Sequence, residues 1–305
     1  SCVLGLYGCG NQGAYFQGPE SLLENPELEG DLIRTTNIRV SPLSEGAEAS
    51  IVITEVIPIP EEPHHDHDHD HNEDGKADHP DPSGKSPTEG VITILSDCSV
   101  GCAMTQIKGV AALPVRTHTL DFDLDDDFDM LVSDIGVIAT IDTTLGKVIL
   151  LERTGEMSFE PKVLAEGLGR VASAEGADLD GDGDMDVLTC VFGHMKGELM
   201  WLEQGESMTF EKHTLDPRPG YIHAFPRDMD GDGDLDIPAV ISQVSEEVVL
   251  FRGDGEGNFT RETIFAAENS CYGMSGLEPV DFDKDGDLDL LVTNGDMFDN
   301  DCGTE

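Results

Sequence analysis

Short apolar runs separated by turn-forming residues fill most of the chain beyond about residue 90. The runs MLVSDIGVI, VLTCVFG, IPAVIS and LLVTNG each follow a stretch rich in aspartate and glycine. Behind the first three lies a second apolar segment (KVILLERT, ELMWLEQ, EVVLFRGD) and then a third (FEPKVLA, FEKHTL, FTRETIF). These runs are short and lack apolar residues at helical spacing, so they predict β-strands.

The acidic stretches form a repeat. They begin at Asp121, Asp178, Asp228 and Asp281, so successive copies lie 57, 50 and 53 residues apart. A fourth strand leads into the next copy, as in RVASAEGADLD and YIHAFPRDMD. Four strands at a period near 50 are typical of a β-propeller blade. We therefore predict an all-β propeller of four-stranded antiparallel blades, about four plus the start of another, with the acidic loops between blades.

The chain divides into three parts. Residues 35–114 resemble a degenerate first blade, with a His/Asp-rich insertion at 61–89. Its counterpart of the acidic loop, SPLSEGAEAS, has no aspartates, so we expect no ion there. We expect residues 115–305 to hold the regular blades, the last of them incomplete, and residues 1–34 to hold a truncated export signal with a lipobox and a linker.

The net charge of −46, from 63 acidic and 17 basic side chains, bears on the partners. Nucleic acids and anionic membranes are recognised through lysine and arginine, so both are disfavoured, whereas cations are favoured. A disordered or salt-adapted surface would also be acidic. Disorder fits poorly with apolar runs that recur at regular intervals.

Each acidic stretch, here called an Asp loop with positions 1 to 9, has the composition of a calcium site. Carboxylates at positions 1, 3 and 5 point at one centre, glycine at position 6 permits the turn, and position 9 closes the shell together with the carbonyl of position 7. An EF-hand would need glutamate at position 12, where Thr189, Ala239 and Val292 stand instead. The predicted ligands are Asp121, Asp123, Asp125 and Asp129 in loop 1; Asp178, Asp180, Asp182, Asp184 and Asp186 in loop 2; Asp228, Asp230, Asp232, Asp234 and Asp236 in loop 3; and Asp281, Asp283, Asp285, Asp287 and Asp289 in loop 4.

These oxygen-only loops predict four Ca²⁺ sites rather than Mg²⁺ sites, because Mg²⁺ prefers to keep its waters. In loop 1, Asp126 replaces the glycine of position 6. Aspartate adopts left-handed backbone geometry at some cost. We expect the site at Asp121 to be the weakest or the most distorted.

The Asp loops and the strands that follow them resemble the FG-GAP/VCBS repeat family, the calcium-loop propellers related to the integrin α-subunit head. The resemblance covers residues 115–298 well and residues 35–114 weakly. Phrases such as GRVASAEGADLDGDGDMDVL look like the bacterial secreted branch. It implies an exported, envelope-associated propeller, in that branch often joined to domains such as c-type cytochromes. Asp126 and the degenerate first blade depart from the family pattern.

The segment PHHDHDHDHNEDGKADHPDPSGKSP is rich in histidine and aspartate. Imidazoles with interleaved carboxylates suit Zn²⁺, Ni²⁺ or Cu²⁺, and the segment is too polar to fold alone. Two interpretations stay open, a metal-capturing loop and a solvated linker that binds metal incidentally. The candidate ligands are His64, His65, His67, His69 and His71.

The cysteines and the N-terminus bear on localisation. Cys98 and Cys102 are candidates for a local disulfide, and Cys271 and Cys302 for a second one, whereas Cys190 is expected to be a buried free thiol. LYGC, ending at Cys9, has the shape of a lipobox, so Cys9 is a candidate for lipidation. An ordinary glycine-rich strand is the alternative. No apolar stretch is long enough to span a membrane.

Three functions are compatible with these features. The first is an exported, Ca²⁺-stabilised propeller in the extracellular space or cell envelope that binds or scaffolds a protein or glycan. The second is the propeller portion of a larger enzyme or redox protein. The third is transition-metal capture by the histidine segment. No catalytic residues are predicted, because no nucleophile, zincin or phosphate-loop motif occurs.

Overall fold

The computed structural model describes residues 35–41, 50–58, 88–96, 102–137, 142–193, 195–243, 245–268 and 273–294. Every regular element in these ranges is a β-strand. No helix in the described ranges is long and apolar enough to cross a membrane. The strands are β1 (Thr35–Ser41), β2 (Ser50–Pro58), β3 (Thr88–Ser96), β4 (Ala103–Lys108), β5 (Pro114–Leu120), β6 (Asp129–Asp134), β7 (Gly146–Gly155), β8 (Ser158–Leu168), β9 (Arg170–Ala177), β10 (Asp186–Phe192), β11 (Glu198–Gly205), β12 (Thr209–Asp216), β13 (Tyr221–Ala224), β14 (Ile237–Gln243), β15 (Ser245–Gly253), β16 (Phe259–Ala266), β17 (Met274–Val280) and β18 (Asp289–Asn294).

The strands form consecutive antiparallel meanders. Sheets β1–β4, β5–β8, β9–β12 and β13–β16 each have four strands in chain order, and β17 pairs with β18. We call these sheets blades 1 to 5. The predicted all-β architecture of four-stranded, blade-like sheets is confirmed.

One part of the prediction is wrong: the Asp loops lie within blades and not between them. Loop 2 joins β9 to β10, which are hydrogen-bonded neighbours, with Asp186 opposite Ala177. The same holds for β5–β6, β13–β14 and β17–β18. The strand assigned to the end of one repeat is therefore the first strand of the next blade. A sequence period gives the length of a repeat, but it does not show where each sheet begins.

Blade 1 shows the same shift. Its first strand is β1, which precedes the segment SPLSEGAEAS, and VRTHTL lies in β5 of blade 2. The segment therefore stands between β1 and β2, where the other blades carry an Asp loop. The histidine-rich insertion stands between β2 and β3, and His64, His65, His67, His69 and His71 lie outside the described residues.

The apolar core lies between successive blades. Met130 and Ile149 of blade 2 pack in one cluster with Ile92 of blade 1, and further clusters join blades 2 and 3, 3 and 4, and 4 and 5. The strand after each of the first two Asp loops is buried along its whole length. Burial on both faces explains why these strands read as continuous apolar runs rather than as alternating ones. Trp201 is 3% exposed and belongs to the core between blades 3 and 4.

The cysteines are only partly described. Cys190 is a buried free thiol as predicted, and burial raises its pKa to about 12. Cys102 is disulfide-bonded. Its expected partner Cys98 lies outside the described residues, as do Cys9, Cys271 and Cys302. The predicted pairings and the lipidation of Cys9 stay predictions.

Candidate metal centres

The backbone of each Asp loop turns twice through left-handed geometry, at positions 4 and 6. In loop 2 these positions are Gly181 and Gly183, with φ of 78° and 96°. In loop 1 they are Leu124 and Asp126, with φ of 62° and 73°. Side chains with a Cβ are strained there, by about 1–2 kcal/mol per residue. Loop 1 is therefore the loop under the most backbone strain, which supports the expectation that its site is the weakest.

The aspartate at position 1 holds the turn closed. The two carboxylate oxygens of Asp178 accept hydrogen bonds from the backbone N–H groups of Gly181 at 2.7 Å and Gly183 at 3.0 Å. Asp228 accepts the two equivalent bonds from Gly231 and Gly233 at the same distances. Asp121 and Asp281 close their loops through the N–H groups of positions 5 and 6 instead.

The folded Asp loop brings three carboxylates together in each of blades 2 to 5. One carboxylate oxygen from each member of the triplet lies within 4.8 Å of the other two. Positions 1, 3 and 5 form this group in loops 1, 3 and 4, and positions 1, 3 and 9 form it in loop 2. The members are Asp121, Asp123 and Asp125; Asp178, Asp180 and Asp186; Asp228, Asp230 and Asp232; and Asp281, Asp283 and Asp285.

Three carboxylates at these separations suit a hard divalent cation. All the donors are oxygens, and their mutual repulsion falls when an ion lies between them. The donor set therefore fits Ca²⁺. Asp129, Asp182, Asp236 and Asp289 stand outside these close groups, and ligation by them and by the carbonyls of Asp184, Asp234 and Asp287 stays a prediction.

The aspartate at position 9 has a second role that the sequence did not reveal. Asp186 is 1% exposed. Its Oδ2 accepts the N–H of Leu179 at position 2 at 3.0 Å, and its Oδ1 accepts the N–H of Gln204 in β11 at 2.8 Å. This carboxylate therefore braces the loop against the third strand of its own blade.

The same brace recurs in the neighbouring blades. Asp129 accepts the N–H groups of Phe122 and Arg153, and Asp236 accepts those of Met229 and Gly253. Asp289 accepts the N–H of Phe282 at 3.1 Å. No motif could reveal the third-strand bond, because its donor is a backbone group 17 to 24 residues further along.

Burial sets the electrostatics of the loops. It raises the pKa of Asp186 to about 7 and that of Asp129 to about 6, although backbone N–H groups act in the opposite direction. The pKa of Asp123 and of Asp180 is also raised, by burial and by neighbouring carboxylates. Positive charge placed beside such carboxyls favours their ionised form. A bound Ca²⁺ would supply that charge.

Loop 3 has a protein cation beside it. The Nη1 of Arg252 lies 2.9 Å from Asp230 Oδ2 and 3.9 Å from Asp236 Oδ2. Burial raises the pKa of Asp236, while Arg252 and two backbone N–H groups lower it. Part of the charge of loop 3 is therefore balanced by the protein itself.

Comparison with known proteins agrees with this geometry. Residues 228–292 match the model of the FG-GAP-like repeat. The match begins at the first aspartate of loop 3 and includes loop 4. No curated protein matches the chain. Residues 228–292 of this chain are therefore an FG-GAP-like repeat, as the resemblance of the Asp loops to the FG-GAP repeat family predicted.

Proposed function

We propose that the chain is an exported, calcium-stabilised β-propeller module that binds or scaffolds a protein or glycan in the extracellular space or cell envelope. The observation that carries the proposal is that a carboxylate triplet recurs at the equivalent turn of blades 2 to 5. The FG-GAP-like repeat over residues 228–292 supports an integrin-like propeller module.

The ion would act on the fold rather than on a substrate. Both oxygens of Asp178 accept loop N–H groups, and the two oxygens of Asp186 accept one N–H group of the loop and one of β11. These carboxylates fix the turn between the first two strands. An ion that binds them would join that turn to the blade, so its binding free energy would add to the stability of the fold. A non-enzymatic role is the simplest use of such a site.

Calcium removal tests the proposal. An ion at 100 times its dissociation constant stabilises by about 2.7 kcal/mol per site. Two sites filled to that extent would lower the Tm by roughly 10–20 °C when a chelator removes the metal. The measurements are thermal unfolding with calcium and with chelator, and elemental analysis of the dialysed protein.

Two variants make the test specific. Asp178→Asn removes a triplet carboxylate and should reduce the difference between the two melting curves. Glu268→Gln changes an exposed carboxylate beyond β16 and should leave that difference intact. A protein that contains no calcium and melts identically in chelator would contradict the proposal.

Export is a separate part of the proposal and needs its own experiment. Expression of the complete open reading frame, followed by cell fractionation, should place the protein in the envelope or the medium. If Cys9 carries lipid, Cys9→Ser should release the protein from the membrane fraction. Recovery of the wild type with cytoplasmic proteins would contradict the proposed localisation.

A further inference from the structure

Arg170 is a buried cation without a hydrogen-bond acceptor in the described part of the chain. The residue is 6% exposed, and its buried Nε–H has no partner. The guanidinium lies over the ring of Phe192, with its Cζ 4.6 Å from the ring centroid. Stacking covers one face of the planar group but leaves the buried Nε–H without an acceptor in the described part of the chain.

This arrangement is unusual in so acidic a protein. Every other arginine whose side chain the structure describes donates to a carboxylate or a backbone carbonyl. These are Arg116 to Glu175, Arg153 to the carbonyls of Gly155 and Glu156, Arg218 to Asp216 and Glu247, Arg227 to the carbonyl of Pro226, Arg252 to Asp230 and Glu262, and Arg261 to Glu247. Burying an unsatisfied guanidinium is costly. Its retention in this fold therefore indicates an acceptor that the described part of the chain does not provide.

The carboxylate of Asp142, which acts on Arg170, is already engaged by other donors. Asp142 acts on Arg170 electrostatically, but no ion pair joins the two among the described residues. Its Oδ1 accepts the backbone N–H groups of Met195 at 3.3 Å and Lys196 at 3.4 Å. Asp142 therefore lies beside Arg170 without satisfying its donors.

The position of Arg170 separates it from the calcium loops. Strand β9 begins at Arg170 and ends at Ala177, directly before loop 2. Phe192, which lies opposite Arg170 in the sheet, is the last residue of β10. Both residues therefore lie at the end of blade 3 that faces away from its Asp loop.

We propose that Arg170 anchors a carboxylate-binding site at this end of blade 3, and that its ligand is an acidic side chain of a peptide. A planar guanidinium pairs with a carboxylate through two parallel hydrogen bonds. A singly charged group is favoured over phosphate, because Asp142 and the overall charge of −46 repel multiple negative charges. Met195, which is 75% exposed in the turn that Asp142 binds, offers an apolar contact for a neighbouring peptide residue.

The inference deepens the proposed binding role, since it names the chemistry of the partner. Its experiment is independent of the calcium test. Calcium-loaded protein is titrated calorimetrically with N-acetyl-Met-Asp-amide, with the matched Asn peptide, and with glucuronate. The Asp peptide should bind at least tenfold more tightly than the Asn peptide and more tightly than glucuronate.

Variants locate the site. Arg170→Met keeps the length of the side chain and should weaken the Asp peptide at least tenfold, whereas its Tm without peptide should equal or exceed that of the wild type. Arg261→Met removes a partly exposed arginine of β16 that pairs with Glu247, away from the Asp loops, and should bind the peptide like the wild type. If Arg170→Met does not fold, Arg170→Lys replaces it, because lysine keeps the charge but loses the paired donors and should also weaken binding.

Three results would overturn the proposal. They are no binding of the Asp peptide by the calcium-loaded wild type, equal binding by the Arg170 variant, and tighter binding of glucuronate than of the peptide. None of them depends on whether the melting curve responds to chelator, so this proposal and the calcium proposal can fail separately.

Discussion

The stability of the chelated protein should rise when the solution is acidified, and Asp186 should be a main cause. Burial raises the pKa of Asp186 from 3.8 to about 7. Between these two values the folded protein holds a proton that the unfolded chain has released. The contribution of Asp186 to stability is therefore complete below about pH 4 and is lost as the pH rises through 7. Calcium reverses the sign, because a bound ion favours the ionised carboxylate and protons then compete with it.

The size of the effect follows from the two pKa values. One pKa unit corresponds to about 1.4 kcal/mol, so Asp186 contributes about 4 kcal/mol in total. About 1.4 kcal/mol of this appears between pH 8 and pH 6. That change corresponds to a rise of roughly 3–6 °C in Tm. Asp129, with a pKa of about 6, adds a smaller amount over the same interval.

The assay is thermal unfolding in chelator at pH 8 and pH 6, for the wild type and for Asp186→Asn. The variant cannot titrate at this position, so its Tm should gain roughly 3–6 °C less on acidification. Asp184→Asn, an exposed change in the same loop at a residue that does not contribute to the pKa shift of Asp186, should follow the wild type. Burial lowers the pKa of His223 to about 4, so this residue reduces the stability of the fold as the pH falls below 6.5. Its contribution is the same in the wild type and in Asp186→Asn and cancels when the two are compared. Equal pH responses of wild type and Asp186→Asn would refute the reasoning.

Three further predictions concern other parts of the chain. In Gly183→Ala the added Cβ meets no neighbouring atom among the described residues, but alanine has to adopt a φ of +96°. The free energy of unfolding in urea should therefore fall by about 1–2 kcal/mol, whereas Gly155→Ala should change it by no more than about 0.5 kcal/mol. Tyr221→Phe removes the hydroxyl that donates to Asp216 at 2.8 Å and should cost about 1.5–3 kcal/mol in the same assay; an unchanged midpoint would contradict this. Deletion of residues 63–81 should abolish Zn²⁺ and Ni²⁺ binding in calorimetry and leave the calcium-dependent Tm shift intact; unchanged metal affinity would favour the linker interpretation.

The repeat and the clustering of the loop carboxylates were predictable because they are local. The runs that became β6 and β10 are buried on both faces, so a short apolar sequence was sufficient to identify them. The triplet at Asp228, Asp230 and Asp232 follows from their alternation within one turn. The strands that begin and end each blade were not predictable in this way, because they depend on which strands form hydrogen bonds with each other, and a repeat period does not show this pairing.

Two features of the loops depend on information that no short motif contains. The second hydrogen bond of Asp186 comes from Gln204, whose position is set by the register of β10 against β11. The left-handed turn at position 4 carries glycine in loops 2 and 3 but Leu124 and Lys284 in loops 1 and 4. A non-glycine residue adopts that geometry only when the surrounding bonds impose it.

The four loops are therefore not equivalent, and the reasons differ. Loops 2 and 3 have glycine at both left-handed positions and a position-9 aspartate bonded to the third strand of the blade. Loop 1 has the same brace, through Asp129, but has no glycine at either position. Loop 4 has one glycine, and among the described residues Asp289 braces only its own loop. In loop 1 the strained backbone opposes ion binding. In loop 4 the position-9 aspartate lacks, in the described part of the chain, the bond to a third strand, so that loop is held less firmly. We therefore infer that loops 2 and 3 bind calcium most tightly.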